Sequence, residues 1–204
     1  GYGIALDSSS NVYIVGYSRI TSSSGPFALQ LAKYDNSGTI QWQRNLSASG
    51  SDQVGYGIAV DSSNNVYVTG YTTAPGSFCI LLAKYNTSGT IQWQRSLGQD
   101  AALDDQGFGI TVDNLNHFYV VGAAAGSVIE SNFLFGKFPV DGTGRGTITV
   151  GGTSFVYATS TLTDAASTLT DSTTSLTDAA TTLTDAATTL TDAASSLNTA
   201  TTQF

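Results

Sequence analysis

The side chains of this chain that could do chemistry are few. Its 204 residues hold one histidine, His117 in DNLNHFYVVG, and one cysteine, Cys79 in FCILLAKY. A histidine-dependent nucleophile needs a base, a nucleophile and an orienting acid held together, and His or Cys zinc sites need several such ligands. Neither arrangement has enough to build on. Paired carboxylates could still act as acid and base, and Asp100, Asp104 and Asp105 in GQDAALDDQG could bind calcium. The plainer reading is a solvated loop whose aspartates shape turns. A second set, Asp7, Asp61 and Asp113, recurs at equal positions along the chain, and such repetition argues for a structural turn, since an active site is needed once. No catalytic, cofactor-binding or metal-binding residue is assigned, and the chain reads as a non-enzyme that needs no cofactor.

These residues are positioned by a repeat. Copies start at Gly1, Gly55 and Gly107, and the first two read GYGIALDSSSNVYIVGYS…LAKYDNSGTIQWQRNL and GYGIAVDSSNNVYVTGYT…LAKYNTSGTIQWQRSL. The third, GFGITVDNLNHFYVVGAA…FLFGKFPVDGTGRGTITV, keeps the first half and loses the end that carries tryptophan. Within a copy, four short runs rich in β-branched and aromatic residues are separated by Asp, Ser, Asn and Gly. In the second copy these runs are Gly57 to Val60, Val66 to Tyr71, Phe78 to Tyr85 and Thr90 to Leu97. Four antiparallel strands at a period near 50 predict propeller-type blades, which must stack to cover their faces.

The stretches GIAVDSSNNVYVTGYT and LLAKYNTSGTIQWQRSLG resemble the bacterial β-propeller repeat SBBP, found in extracellular and surface proteins. The resemblance covers two copies well, the third in part, and nothing after about residue 150. It implies scaffolding or surface display and no particular reaction. Family members usually carry an Asp just before the third strand, and GPFALQ and GSFCIL lack it here. A closed propeller has four to eight blades, so three repeats predict either further copies before Gly1, the reading preferred here, or a ring completed by several chains.

Other recurring residues receive structural readings. His117 takes the slot of Asn11 and Asn65, a turn position tolerant of left-handed backbone. Lys33, Lys84 and Lys137 recur on one strand and Arg44 and Arg95 on the next, placed to pair with aspartates between blades or to snorkel from the surface. Cys79 reads as a small buried thiol, and DGTGRGT from Asp141 as a hairpin. Tyr17, Tyr71, Trp42 and Trp93 recur too, and core packing is weighed above recognition of a sugar.

From Thr161 the sequence turns to a seven-residue period, TLTDAAS and its variants. Leu162, Leu169, Leu176, Leu183, Leu190 and Leu197 fall on one position, and Ala166, Ala180, Ala187 and Ala194 on another of the same helical seam. A strict heptad predicts a left-handed α-helical coiled coil with every aspartate outermost. Thr, Ser and Asp are indifferent helix formers, so the helix must associate, and a homotrimer is expected over a fibrous β-repeat.

The expected organisation is thus mainly β: propeller repeats over 1–54, 55–106 and 107–152, the last degenerate, then a heptad oligomerisation tail over 153–204. With 15 acidic against 7 basic residues and no basic cluster, nucleic acid is not an expected partner, and no apolar run is long enough for a membrane span. The expected role is a non-enzymatic structural or adhesive part of an extracellular or virion assembly, similar in module order to phage tail fibres. Its expected partners are its own copies and other structural proteins of the assembly. The alternative is a surface adhesin that binds cell-surface glycans, and a propeller enzyme comes last.

Overall fold

Runs of Val, Ile, Leu, Tyr and Phe suit a pleated, half-buried surface, and Asp, Ser, Asn and Gly favour turns. In the computed structural model the first are strands and the second the connections between them. The structure describes residues 1–19, 24–74, 76–99, 104–125, 131–143, 146–150, 153–160 and 162–166. Among these there are fourteen strands and no helix.

Each copy opens as an antiparallel meander. The first sheet runs β1 (Gly3–Leu6), β2 (Val12–Arg19), β3 (Phe27–Tyr34) and β4 (Ile40–Ser47), and the second β5 (Gln53–Val60), β6 (Val66–Thr72), β7 (Cys79–Tyr85) and β8 (Ile91–Gln99). The third stops at three strands, β9 (Gln106–Val112), β10 (His117–Ala125) and β11 (Ser131–Pro139).

The chain then turns back. β12 (Gly146–Val150) and β13 (Thr153–Thr159) form a hairpin whose second strand pairs with β8, Tyr157 opposite Leu97. Beyond it β14 (Thr163–Ala166) pairs with β4, Asp164 opposite Leu46. The second sheet thereby gains two strands and the first gains one.

Two expectations are corrected by this return. DGTGRGT does not close a hairpin between β11 and β12, which do not pair; it carries the chain from the third sheet to the second. Residues 153–160 and 162–166 do not begin a helix, and Leu162 and Ala166 do not begin a coiled-coil seam. Leu162 is a buried member of the core between the first two sheets, and Ala166 ends β14 opposite Arg44. Local heptad spacing loses here to open sheet edges, whose unpaired backbone groups gain hydrogen bonds from an added strand. Leu169, Leu176, Leu183, Leu190, Leu197, Ala180, Ala187 and Ala194 lie outside the described residues.

The period of two sorts side chains onto two faces. Tyr13, Val15, Leu29 and Leu31 of the first sheet meet Val66, Val68, Leu81, Ala83 and Tyr85 of the second, with Ile58 and Val60 packed alongside. The opposite face of the second sheet sends Tyr67, Ile80 and Leu82 against Phe118, Val120, Leu134 and Phe138 of the third, with Ile110 and Val112 alongside. Every residue of β6 is buried, because that strand is covered on both faces.

Candidate functional site

The recurring polar residues hold the sheets together. Trp42 Nε1 donates to the carbonyl of Thr87 at 3.1 Å and Arg44 Nε to that of Gly89 at 2.6 Å, both in the β7–β8 turn of the next sheet. One sheet on, Trp93 Nε1 donates to the carbonyl of Val140 and Arg95 Nε to that of Gly142, both at 3.0 Å. The turn glycines are required twice over. Gly89 and Gly142 have φ of +75° and +69°, and a Cβ on either would approach the Trp ring of the preceding sheet to 2.7 or 2.8 Å. Tryptophan, arginine and glycine thus form one clamp, made twice.

Residues 41–77 match SBBP, a beta-propeller repeat. The matched stretch begins in β4, which carries the Trp–Arg clamp, and runs past the end of β6, so it spans the junction between two blades. No curated protein matches the chain.

Inside each blade the recurring aspartate closes the first turn. Asp7 accepts from the backbone of Ser9 and Asn11, from Asn11 Nδ2 and from the Tyr13 hydroxyl, at 2.8 to 3.0 Å. Asp61 makes the same set with Ser63, Asn65 and Tyr67, and Asp113 a shorter one with Leu115, His117 and Tyr119. Burial alone would raise the Asp7 carboxyl, yet the donors from Asn11, Ser9 and Tyr13 outweigh it and bring it down to about 2. Burial opposes in the same way at Asp113, and the donors from His117, Tyr119 and Leu115 together outweigh it and bring that carboxyl to about 2.

These turns correct the placing of His117. The left-handed residue is the one before it, Asn116 at φ 65°, matched by Ser10 and Asn64 at 61°. His117 itself opens β10, with Nδ1 3.4 Å from the Asp113 carboxylate. Lys33 lies 3.7 Å from Asp7 of its own blade and over the Tyr13 ring, so its ion pair is within a blade. Lys84 and Lys137 sit over Tyr67 and Tyr119 in the same way, and Lys84 Nζ reaches the Val140 carbonyl of the third blade.

The other candidates separate. Asp100 lies outside the described residues, Asp104 is exposed, and Asp105 is fully buried with its backbone N–H on the Phe78 carbonyl. Asp105 is therefore no part of a solvated loop. Among the described residues no three His, Cys, Asp or Glu side chains gather as metal ligands, and no helix is long and apolar enough to cross a membrane. Cys79 is buried and free, and burial raises its thiol pKa.

Of the recurring aromatics, Trp93 and Tyr71 are buried, Trp42 is half-buried and Tyr17 is exposed. Tyr17 belongs to a ladder that repeat counting alone does not reveal. Ring contacts run Phe27–Tyr17–Tyr2–Tyr56–Tyr71–Phe78, with Phe108 on Tyr56, at centroid separations of 4.5 to 5.9 Å. Tyr2, Tyr56 and Phe108 are the second residues of the three GYG or GFG openings, and at Tyr56 and Phe108 the strand pairing skips a residue. Such a bulge re-aims the side chain, so one aromatic per blade meets its neighbour across the junction. The sequence signal was the glycine on either side of each ring.

Proposed function

We propose that this chain is a non-enzymatic structural component of an extracellular or virion assembly, in which stacked blades make contacts and the heptad tail associates copies, as a homotrimer. The observation that carries this reading is the employment of the recurring polar residues. Asp7, Asp61 and Asp113 close turns, Arg44 and Arg95 clamp the next blade, and Lys33 pairs within its blade. Side chains so engaged are spent on architecture. The partners are further copies and other structural proteins of the same assembly.

The test is the mass in solution of the full chain and of a form ending at Thr168, which keeps β13 and β14. A fall in mass on shortening is the expected result. Equal association states in the two forms would overturn the role given to the tail.

The alternative, recognition of cell-surface glycans, is favoured by one observation: Tyr2, Tyr17 and Phe108 of the ladder are exposed, and aromatic faces suit the apolar side of a sugar ring. Binding on a glycan array that disappears in Tyr2→Ala, with folding intact, would support it; an array with no binding would remove it.

A further inference from the structure

Each internal junction joins two unlike faces. The face a blade turns to its successor carries Tyr13, Val15, Leu29 and Leu31 in the first blade and Tyr67, Thr69, Ile80 and Leu82 at the same positions in the second. All eight have no solvent exposure. Their counterparts in the third blade are Tyr119, Val121, Phe133 and Phe135, and there Val121 is 37%, Phe133 81% and Phe135 61% exposed. Tyr119, Val121 and Phe135 line a shallow groove with Gly109 and Thr111.

The face turned to the predecessor behaves in the converse way. Ile58 and Val60 pack on the core of the first blade, and Ile110 and Val112 on that of the second. Ile4 and Leu6, the same positions in the first blade, are 70% and 61% exposed. The three described blades therefore present a receiving face at blade 3 and an inserting face at blade 1.

The geometry points to a second copy of this chain as the occupant: the blade 1 face of one copy seats on the blade 3 face of the other, and the reverse. Two copies of three blades give six, inside the four to eight of closed propellers. The repeat supplies the register. A Cβ at Gly55 would lie against Val15 and Leu29, and one at Gly107 against Thr69 and Ile80. By the same step Gly1 of the second copy lies over Val121 and Phe133. The new junction is weaker than the internal two, because among the described residues the third blade has no fourth strand to bring a Trp and Arg to the β3–β4 turn, where nothing lies within 4 Å of a Cβ on Gly38. Association is therefore concentration-dependent.

This contact uses no residue of the tail, and sedimentation of the full chain separates the two. One variant carries Phe133→Asp and Phe135→Asp, the other Ile4→Asp and Leu6→Asp; all four side chains are exposed, and circular dichroism checks the fold. Should either variant unfold, Phe133→Ser and Ile4→Ser replace the pairs. The expected result is that each variant alone loses at least tenfold in association relative to wild type. An equimolar mixture regains part of it, because one of the two junctions of a mixed pair joins an intact receiving face to an intact inserting face. Wild-type and variant masses that agree, whether all monomeric or all held by the tail, would overturn the proposal, as would a mixture that regains nothing. A monomeric wild type would leave a repeat preceding Gly1 as the occupant of the inserting face.

Discussion

Asp7 shows how a side chain suited to catalysis is committed to structure. Its carboxylate takes three hydrogen bonds inside a five-residue turn and a fourth from the Tyr13 hydroxyl on β2, beside Lys33. Asp7→Ala should cost about 2 to 4 kcal/mol in denaturant unfolding, since it removes the acceptor of the Tyr13 hydroxyl and of the turn N–H groups and the ion-pair partner of Lys33. The pH dependence follows from the sign of the shift. A carboxyl that titrates near 2 when folded and at its ordinary 3.8 when unfolded contributes its full stabilisation above about pH 4 and loses it as pH falls toward 2. Wild type should lose more stability than Asp7→Ala between pH 5 and pH 2, and parallel losses would refute this account. The aspartate was legible in the sequence because an Asx turn is local: donor and acceptor lie two to six residues apart. Its Lys33 partner was not, because the spacing of the two along the chain does not say which blade supplies the charge.

At the scale of elements, two turn glycines separate backbone strain from blade contact. Gly38 and Gly89 occupy the same turn of successive blades with φ of +85° and +75°, so alanine at either pays the left-handed penalty of about 1 to 2 kcal/mol. Only at Gly89 does the new methyl also press on Trp42. Gly89→Ala should therefore be measurably the more destabilising in thermal unfolding, and equal losses would mean that the Trp42 ring yields to the methyl without cost. The return strand β14 offers a second comparison. Asp164 is raised by burial, against the opposing effects of Tyr85 and Arg44, and accepts from the Tyr85 hydroxyl at 3.2 Å. A raised carboxyl stabilises the fold below its unfolded pKa and loses that contribution as pH rises through the folded value. Asp164→Asn should then stabilise the protein at pH 7 and change little at pH 3; destabilisation at both would show that the charge itself is needed. The strands of the meanders were readable because alternation and turn residues are local signals. The strands β13 and β14 were not, because what makes them strands is an edge about sixty to a hundred and twenty residues away. The stretch LTDAA carries a heptad pattern of its own that says nothing of that edge.

For the whole molecule, stability is distributed by neighbours, as in stacked repeats. The second blade has both faces covered and the first and third one each. Amide exchange should be slowest in β6 and β7, faster in β1 and β11, and a uniform rate across the blades would count against nearest-neighbour stacking. The strand order also says how the molecule would carry a load. β1 and β14 are the two edges of one sheet. Tension between β1 and the end of β14 is carried across that sheet by the four residue pairs of the β14–β4 ladder, with side anchors to the second sheet where Gln94 holds the Leu162 carbonyl and Tyr85 holds Asp164. The third blade hangs outside that line of force. The short ladder and its two anchors are a mechanical fuse: while they hold, the third blade feels no pull, and when they part, the loop between β4 and β14 comes under tension at once.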